Sequence, residues 1–197
     1  MKNILLLTLF STVCSLGVMG AAHAEKADSD KEAVITAQRG QMDDIKQVRT
    51  LTGDVVLVKG TLTMKAGRAL ITEDPQGYQF ITFWADPGKL ATFRQKRDGA
   101  GDLWVEGEAE RVEYDNKTEV VKLFSKAKLT RLEGTKITDV ANGAFISYDS
   151  RNEVFNMENT DSGTSSPGAG SVRMVIQPKT KAPAAEKAPA APAPGKK

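Results

Sequence analysis

A six-residue phrase occurs three times in this chain and dictates its architecture. Asp43 to Val48 aligns with Asp115 to Val120 and with Asp149 to Val154, and an apolar residue (Met42, Tyr114 or Tyr148) stands just before each Asp. Asp and Asn favour tight turns because their side chains bond nearby backbone and tolerate the left-handed region. Each copy therefore reads as strand, tight turn, strand. The copies continue: Gly53-Asp54-Val55 matches Ser125-Lys126-Ala127, and Gly60-Thr61 matches Gly134-Thr135. Between these turns lie β-branched or alternating runs: Val55–Val58, Leu62–Met64, Phe80–Trp84, Val120–Phe124 and Lys128–Leu132. No window of a dozen residues carries a helical stripe. The expected class is all-β.

The repeat also assigns faces. Val121, Leu123, Ala127 and Leu129 share one parity, and their first-copy counterparts are Arg49, Leu51, Val55 and Leu57. Val112 and Tyr114 share parity, as do Ile146 and Tyr148. Val105 and Ala109 have the opposite parity to Val112, so a phase shift is expected near Gly107, with a second between Ile35 and Met42. Repeated bends suit a curved, two-sheet wrap rather than a flat sheet.

The N-terminus has the form of a cleaved secretory signal. Lys2 precedes an apolar run from Ile4 to Val18, and Ala22-His23-Ala24 supplies the small residues of a cleavage site after Ala24. Ser11, Thr12 and Ser15 interrupt the run, which a membrane span of about 20 apolar residues would not tolerate. Cleavage removes Cys14 and His23, the only cysteine and the only histidine. Disulfides, thiolate nucleophiles, Ser-His-Asp triads and ordinary zinc sites are then excluded from the mature chain. We expect no enzyme, no cofactor and no metal. A polar lead-in follows at 25–32, then a domain at 33–177 and an Ala/Pro/Lys tail at 178–197. The tail has no apolar residue larger than Ala beyond Pro178 and is expected to be disordered. Its five lysines and one glutamate leave the body slightly acidic, a poor nucleic-acid binder.

Several side-chain sets invite a functional assignment. Glu106, Glu108 and Glu110 alternate with Val105, Gly107 and Ala109, the pattern of a solvated strand face, and with Glu113 they are not expected to form a glycosidase pair. Asp43, Asp115 and Asp149 read as turn residues, not metal ligands. Lys59, Lys65, Arg68, Arg94, Lys96 and Arg97 sit near strand ends, where they aid solubility or meet a phosphorylated ligand. Phe83, Trp84, Phe93, Trp104, Tyr114, Phe124, Phe145 and Tyr148 are expected mostly in the core. Composition leaves open whether that core is dry or an acyl-chain groove. Ala33–Gln38 and Val172–Ile176 are the first and last strands, so they are expected at sheet edges, where another chain's strand can add.

The run Gly88 to Gln95, then Val105-Glu106-Gly107 with Ala109, Val112 and Tyr114, then Val120-Val121 and Leu129, resembles the OstA/LptA family; so does Leu51-Thr52-Gly53-Asp54-Val55 through Gly60 and Ala69. The resemblance covers about 33–158 and the terminal strand. It implies an open β-jelly roll that binds lipopolysaccharide by its lipid A acyl chains in the periplasm. It also implies head-to-tail self-association, with an LptC-like inner-membrane protein at one end and an LptD-like outer-membrane protein at the other. Combined with the parity pattern, it makes Ala33, Ile35, Leu51, Val55, Leu57, Phe93, Val112, Tyr114 and Ile146 the candidate lipid-binding set. Val34, Thr36, Val172, Met174 and Ile176 are the candidate partner-edge residues. Ser125-Lys126 stands where the family has Gly-Asn, which leaves the geometry of that turn open. The competing expectation is a dry-cored module that tethers envelope partners by edge pairing alone.

Overall fold

The computed structural model describes residues 28–178; the expected signal segment and nearly all of the tail lie outside them. The regular elements are twelve strands: β1 (Ala33–Thr36), β2 (Arg39–Asp43), β3 (Val48–Lys59), β4 (Leu62–Glu73), β5 (Gln79–Trp84), β6 (Ala91–Lys96), β7 (Leu103–Ala109), β8 (Arg111–Asp115), β9 (Val120–Glu133), β10 (Lys136–Asp149), β11 (Val154–Glu158) and β12 (Arg173–Ile176). Every pairing between them is antiparallel.

The three Asp phrases are three hairpins of one design. Asp43 pairs with Val48, Asp115 with Val120 and Asp149 with Val154, each across a loop of the four intervening residues. In each, the Asp Oδ1 accepts an amide N–H three residues on, from Lys46 at 3.0 Å, Thr118 at 3.3 Å and Asn152 at 3.0 Å. Partial burial tends to raise the Asp115 carboxyl pKa, but hydrogen bonds from Thr118 and Lys117 outweigh it and hold it below the usual carboxylate range. The left-handed position does not fall on the Asp. It falls on the last loop residue: Gln47 (φ 53°), Glu119 (φ 57°) and Glu153 (φ 54°). Further along the repeat, Gly53-Asp54 (φ 81° and 45°) and Ser125-Lys126 (φ 61° and 55°) adopt the same pair of left-handed conformations. Ser125-Lys126 thus makes the same turn as Gly53-Asp54, with Lys126 paired to Glu110 at 2.6 Å.

These left-handed pairs are corners. The twelve strands form one hydrogen-bonded sheet, and β3, β4, β9 and β10 each change neighbours partway along. On one side of the corners the order is β1-β3-β4-β6-β7-β9-β10-β12. On the other it is β2-β3-β4-β5-β8-β9-β10-β11. The result is two layers joined along a spine, with their inner faces enclosing one core. At the opposite rim the layers are clasped. Arg97 forms an ion pair with Glu153 at 2.5 Å, and Arg131 donates to the Glu153 carbonyl at 2.8 Å.

The phase shift expected near Gly107 lies elsewhere. Val105, Gly107 and Ala109 all point inward along an unbroken β7, and the change of parity occurs at Glu110. There the backbone turns between layers, with the Glu110 N–H donating to Ser125 O and its carbonyl accepting from Ala85 N–H, both at 3.0 Å. Gly107 has a packing role instead: the Phe93 ring lies where its Cβ would be, and Phe93 stacks on Tyr148 with centroids 6.2 Å apart. The second expected shift is present between β1 and β2, where Gln38 N–H donates to Gly53 O at 2.9 Å.

Five of the eight candidate core aromatics are buried, four of them between the layers and Phe145 beneath the outer surface. Phe83, Phe93, Tyr114 and Tyr148 are buried within. Trp84, Trp104, Phe124 and Phe145 face outward, most of them under cations that shield their faces. Arg68 lies 5.0 Å over Trp84, Arg94 4.2 Å over Trp104 and Arg111 3.9 Å over Phe124, while Phe124 meets Phe145 edge-on at 5.0 Å.

Candidate functional site: the inner faces and the open edges

Cross-strand register turns the inner faces into rows. In one layer, Ile35, Leu57, Met64, Phe93, Gly107, Leu129, Ala141 and Met174 stand side by side from β1 to β12. In the other, Gly40, Leu51, Ala69, Phe83, Val112, Leu123, Ile146 and Met157 form a second row from β2 to β11. Beside it runs a third: Met42, Arg49, Ile71, Ile81, Tyr114, Val121, Tyr148 and Phe155. Each row is apolar from edge to edge, with Arg49 as the sole charge.

Burial along the rows is uneven. Val55, Leu57, Phe93, Val112, Tyr114 and Ile146 are sealed, none more than 5% exposed. Burial raises the Tyr114 phenol far above its ordinary range, and the nearby Glu119 and Asp28 carboxylates add to this, so it stays neutral. The rows then open at both ends. At the N-terminal end Ile35 and Leu51 are half-buried, Ala33 is exposed and Met42 is 60% exposed. Together with Ile71 and Arg49 they border a cleft of about 480 Å³. At the C-terminal end Phe155 and Met157 are half-buried, and Met174 and Ile176 are exposed.

The cause is strand order. β1 and β2 pair only with β3, and β11 and β12 only with β10. Among the described residues, each end of the wrap therefore presents two strands with one unpaired side, and apolar inner-face side chains there stay exposed. Val34 and Thr36 project outward from β1, Val172 immediately precedes β12, and Met174 and Ile176 lie on the inner side of β12 with Ala141.

The other candidate sets are placed elsewhere. Glu106, Glu108 and Glu110 lie on the outer surface, paired with Arg94, Lys128 and Lys126, and Glu113 lies 3.6 Å from Arg111. Glu106 and Glu108 line one outer cavity of about 440 Å³, but Arg94 and Lys128 line it with them and pair with both carboxylates, and Glu110 and Glu113 do not border it. The three turn aspartates sit in separate hairpins, and among the described residues no group of three or more potential metal ligands occurs. None of Lys59, Lys65, Arg68, Arg94, Lys96 and Arg97 borders the N-terminal cleft. Arg97 is drawn between the layers by Glu153, and burial together with Arg97 lowers the pKa of the neighbouring Arg131 guanidinium. The cation that does border the cleft is Arg49, bonded to Glu73 at 3.0 Å. Its signal was its inward parity, not its position near a turn. Among the described residues no helix is long and apolar enough to cross a membrane.

Known proteins share this pattern. The family model described as "LptA/(LptD N-terminal domain) LPS transport protein" matches residues 34–154. The lipopolysaccharide export system protein LptA of Haemophilus influenzae is 31% identical over 129 residues, which are 66% of this chain and 71% of that one. The protein of the same name from Escherichia coli K12 is 31% identical over 121 residues, 59% of this chain and 64% of that one. Among solved structures, LptH of Pseudomonas aeruginosa, described as the LptA-homologous periplasmic component of the lipopolysaccharide transport device, superposes with a TM-score of 0.65. It is 23% identical and the match covers 77% of this chain and 99% of that one, which shows a shared β-jelly-roll fold. With its repeat, its two-layer wrap and a family match over most of the described residues, this chain belongs to the LptA/LptD N-terminal domain family of lipopolysaccharide transport proteins.

Proposed function

We propose that this chain binds lipopolysaccharide through its lipid A acyl chains and carries it across the periplasm, from inner to outer membrane, as one link in a head-to-tail protein bridge. One observation carries this: among the described residues, the apolar rows of both layers run out of the sealed core and end in exposed side chains at two edges with one unpaired side. A soluble sandwich with no ligand and no neighbour gains nothing by leaving its core open at both ends. The secretory signal in residues 1–24 supports a periplasmic location, and the names of the relatives support lipopolysaccharide export.

Ala33, Ile35 and Leu51 are then the entrance. Val55, Leu57, Phe93, Val112, Tyr114 and Ile146 are the interior that acyl chains meet when the layers part at the clasped rim. Burying an acyl chain is worth roughly 0.8 kcal/mol per CH₂, so full enclosure of several chains would hold the lipid too tightly to pass it on. A wrap sealed in the middle and open at its ends keeps contact partial. Directionality comes from energy supplied outside this chain. The β1/β2 edge of one copy and the β11/β12 edge of the next join by strand addition, a contact that propagates. An LptC-like protein takes the free edge at the inner membrane and an LptD-like protein the one at the outer membrane. The chemistry calls for neither catalysis nor cofactor.

Protein purified from the envelope without detergent should release, on organic extraction, a phosphorylated, multiply acylated glycolipid detectable by mass spectrometry. Protein that is lipid-free yet still retains its envelope partners would favour the tether reading.

A further inference from the structure

The apolar rows contain one residue that does not belong to them. Arg49 stands in the inner row between Met42 and Ile71. Its counterpart in the second copy of the repeat is Val121, which is 1% exposed. At the same step of the same repeat, the chain thus puts valine in the sealed centre and arginine at the open end. The Arg49 side chain is 31% exposed and bonds Glu73, itself 26% exposed, at 3.0 Å. An ion pair this desolvated contributes little net stability compared with apolar residues in its place, so stability does not account for it. Its surroundings do suggest an explanation. Ile35, Leu51, Met42 and Ile71 line the same cleft, so it offers apolar wall and a guanidinium together. That is the complement of an amphiphile whose anionic group sits next to its acyl chains. Arginine suits a phosphate because its planar fork matches two phosphate oxygens.

We infer that Arg49 receives a phosphate monoester of the bound acylated glycolipid, with Glu73 occupying the guanidinium in the lipid-free protein. This rests on the lipid-binding reading above and adds to it the headgroup contact. A phosphate carries roughly 1.5 to 2 negative charges at neutral pH, against one for a carboxylate, so it displaces Glu73, which turns towards solvent. Glu73 thereby lowers the affinity for the headgroup, as a carrier that must release its cargo requires. The acyl chains lie inward along the Leu51 row and the phosphate stays at the rim.

The test compares three probes: bis-phosphorylated lipid A, the same lipid A with its phosphates removed, and inorganic phosphate alone. Binding is measured to the wild-type protein and to Arg49→Val, Arg49→Lys and Glu73→Gln, with circular dichroism to check the fold. Arg49→Val installs the residue that the repeat uses at Val121. We expect the wild type to prefer the phosphorylated lipid by about tenfold, the effect of one charge-assisted contact. Arg49→Val should lose that preference while still binding dephosphorylated lipid as the wild type does. Arg49→Lys should keep part of it, and Glu73→Gln should bind the phosphorylated form several-fold more tightly. Inorganic phosphate should compete only weakly. If Arg49→Val keeps the full preference, or if Glu73→Gln weakens phosphorylated lipid, the assignment is wrong. Strong competition by inorganic phosphate overturns it in favour of a free-anion site. Equal binding of both lipids by the wild type removes Arg49's role but leaves acyl-chain binding standing. Failure of either lipid to bind removes both.

Discussion

Gly107→Ala should destabilise the protein by about 3 kcal/mol, at the upper end of what overpacking a core normally costs. An added Cβ would lie 2.1 Å from Phe93 Cε1, 2.6 Å from Phe93 Cδ1 and 2.9 Å from Leu123 Cδ1. Phe93 cannot retreat: it is 1% exposed and stacks on Tyr148, which is fully buried. Gly107 has no left-handed φ, so the cost is packing and not backbone strain. Urea unfolding should show the loss as a lower midpoint at unchanged slope. A double-mutant cycle identifies the cause. Phe93→Leu destabilises the wild type by leaving space, yet it should partly rescue Gly107→Ala by making room for the methyl group. Additive losses would mean that the clash is relieved by some other movement.

Leu51→Asp should weaken lipid A binding by about a hundredfold or more while leaving the protein folded. Leu51 lies half-buried at the mouth of the N-terminal cleft, so a carboxylate there stays hydrated while the protein is empty. Acyl chains laid over it would strip that water, and an unpaired buried charge costs several kcal/mol. The fold should lose no more than about 2 kcal/mol, the packing of one partly buried leucine. Val58→Asp is the matched control. Val58 lies on the same strand, is 41% exposed and faces outward, so the same charge there should leave lipid binding unchanged. Equal weakening by both substitutions would mean that the lipid is not selecting the inner face.

Local chemistry explains which features could be read from the chain. The Asp hairpins are legible because the acceptor and its donor lie three residues apart, within one phrase. The inner faces of β3, β8, β9 and β10 are legible because parity survives along a strand, and the two corners match because the repeat preserves their position. What escaped depends on distant contacts. A glycine within a strand reads as a bulge, but Gly107 is there for Phe93, which arrives from another strand. Arg97 reads as a surface cation near a turn until Glu153, 56 residues away, draws it between the layers. Trp84 and Phe124 read as core because nothing local announces the arginines that cover them. The candidate ligand set was legible as a face. Its division into a sealed centre and two open ends was not, because that depends on which strands have neighbours on both sides. Arg49 occupies an inward position of the register, as the repeat implies, but only the position of the cleft gives it a role.

The central claim is that lipid lies on the inner face at the open end, and a pair of photo-crosslinkers tests it most directly. One replaces Leu51 and the other Val58, two apolar positions on opposite faces of β3. Irradiated in cells that make lipopolysaccharide, the probe at Leu51 should give a lipopolysaccharide adduct and the probe at Val58 none. Adducts of equal yield at both positions, or at Val58 alone, would contradict an inner-face track.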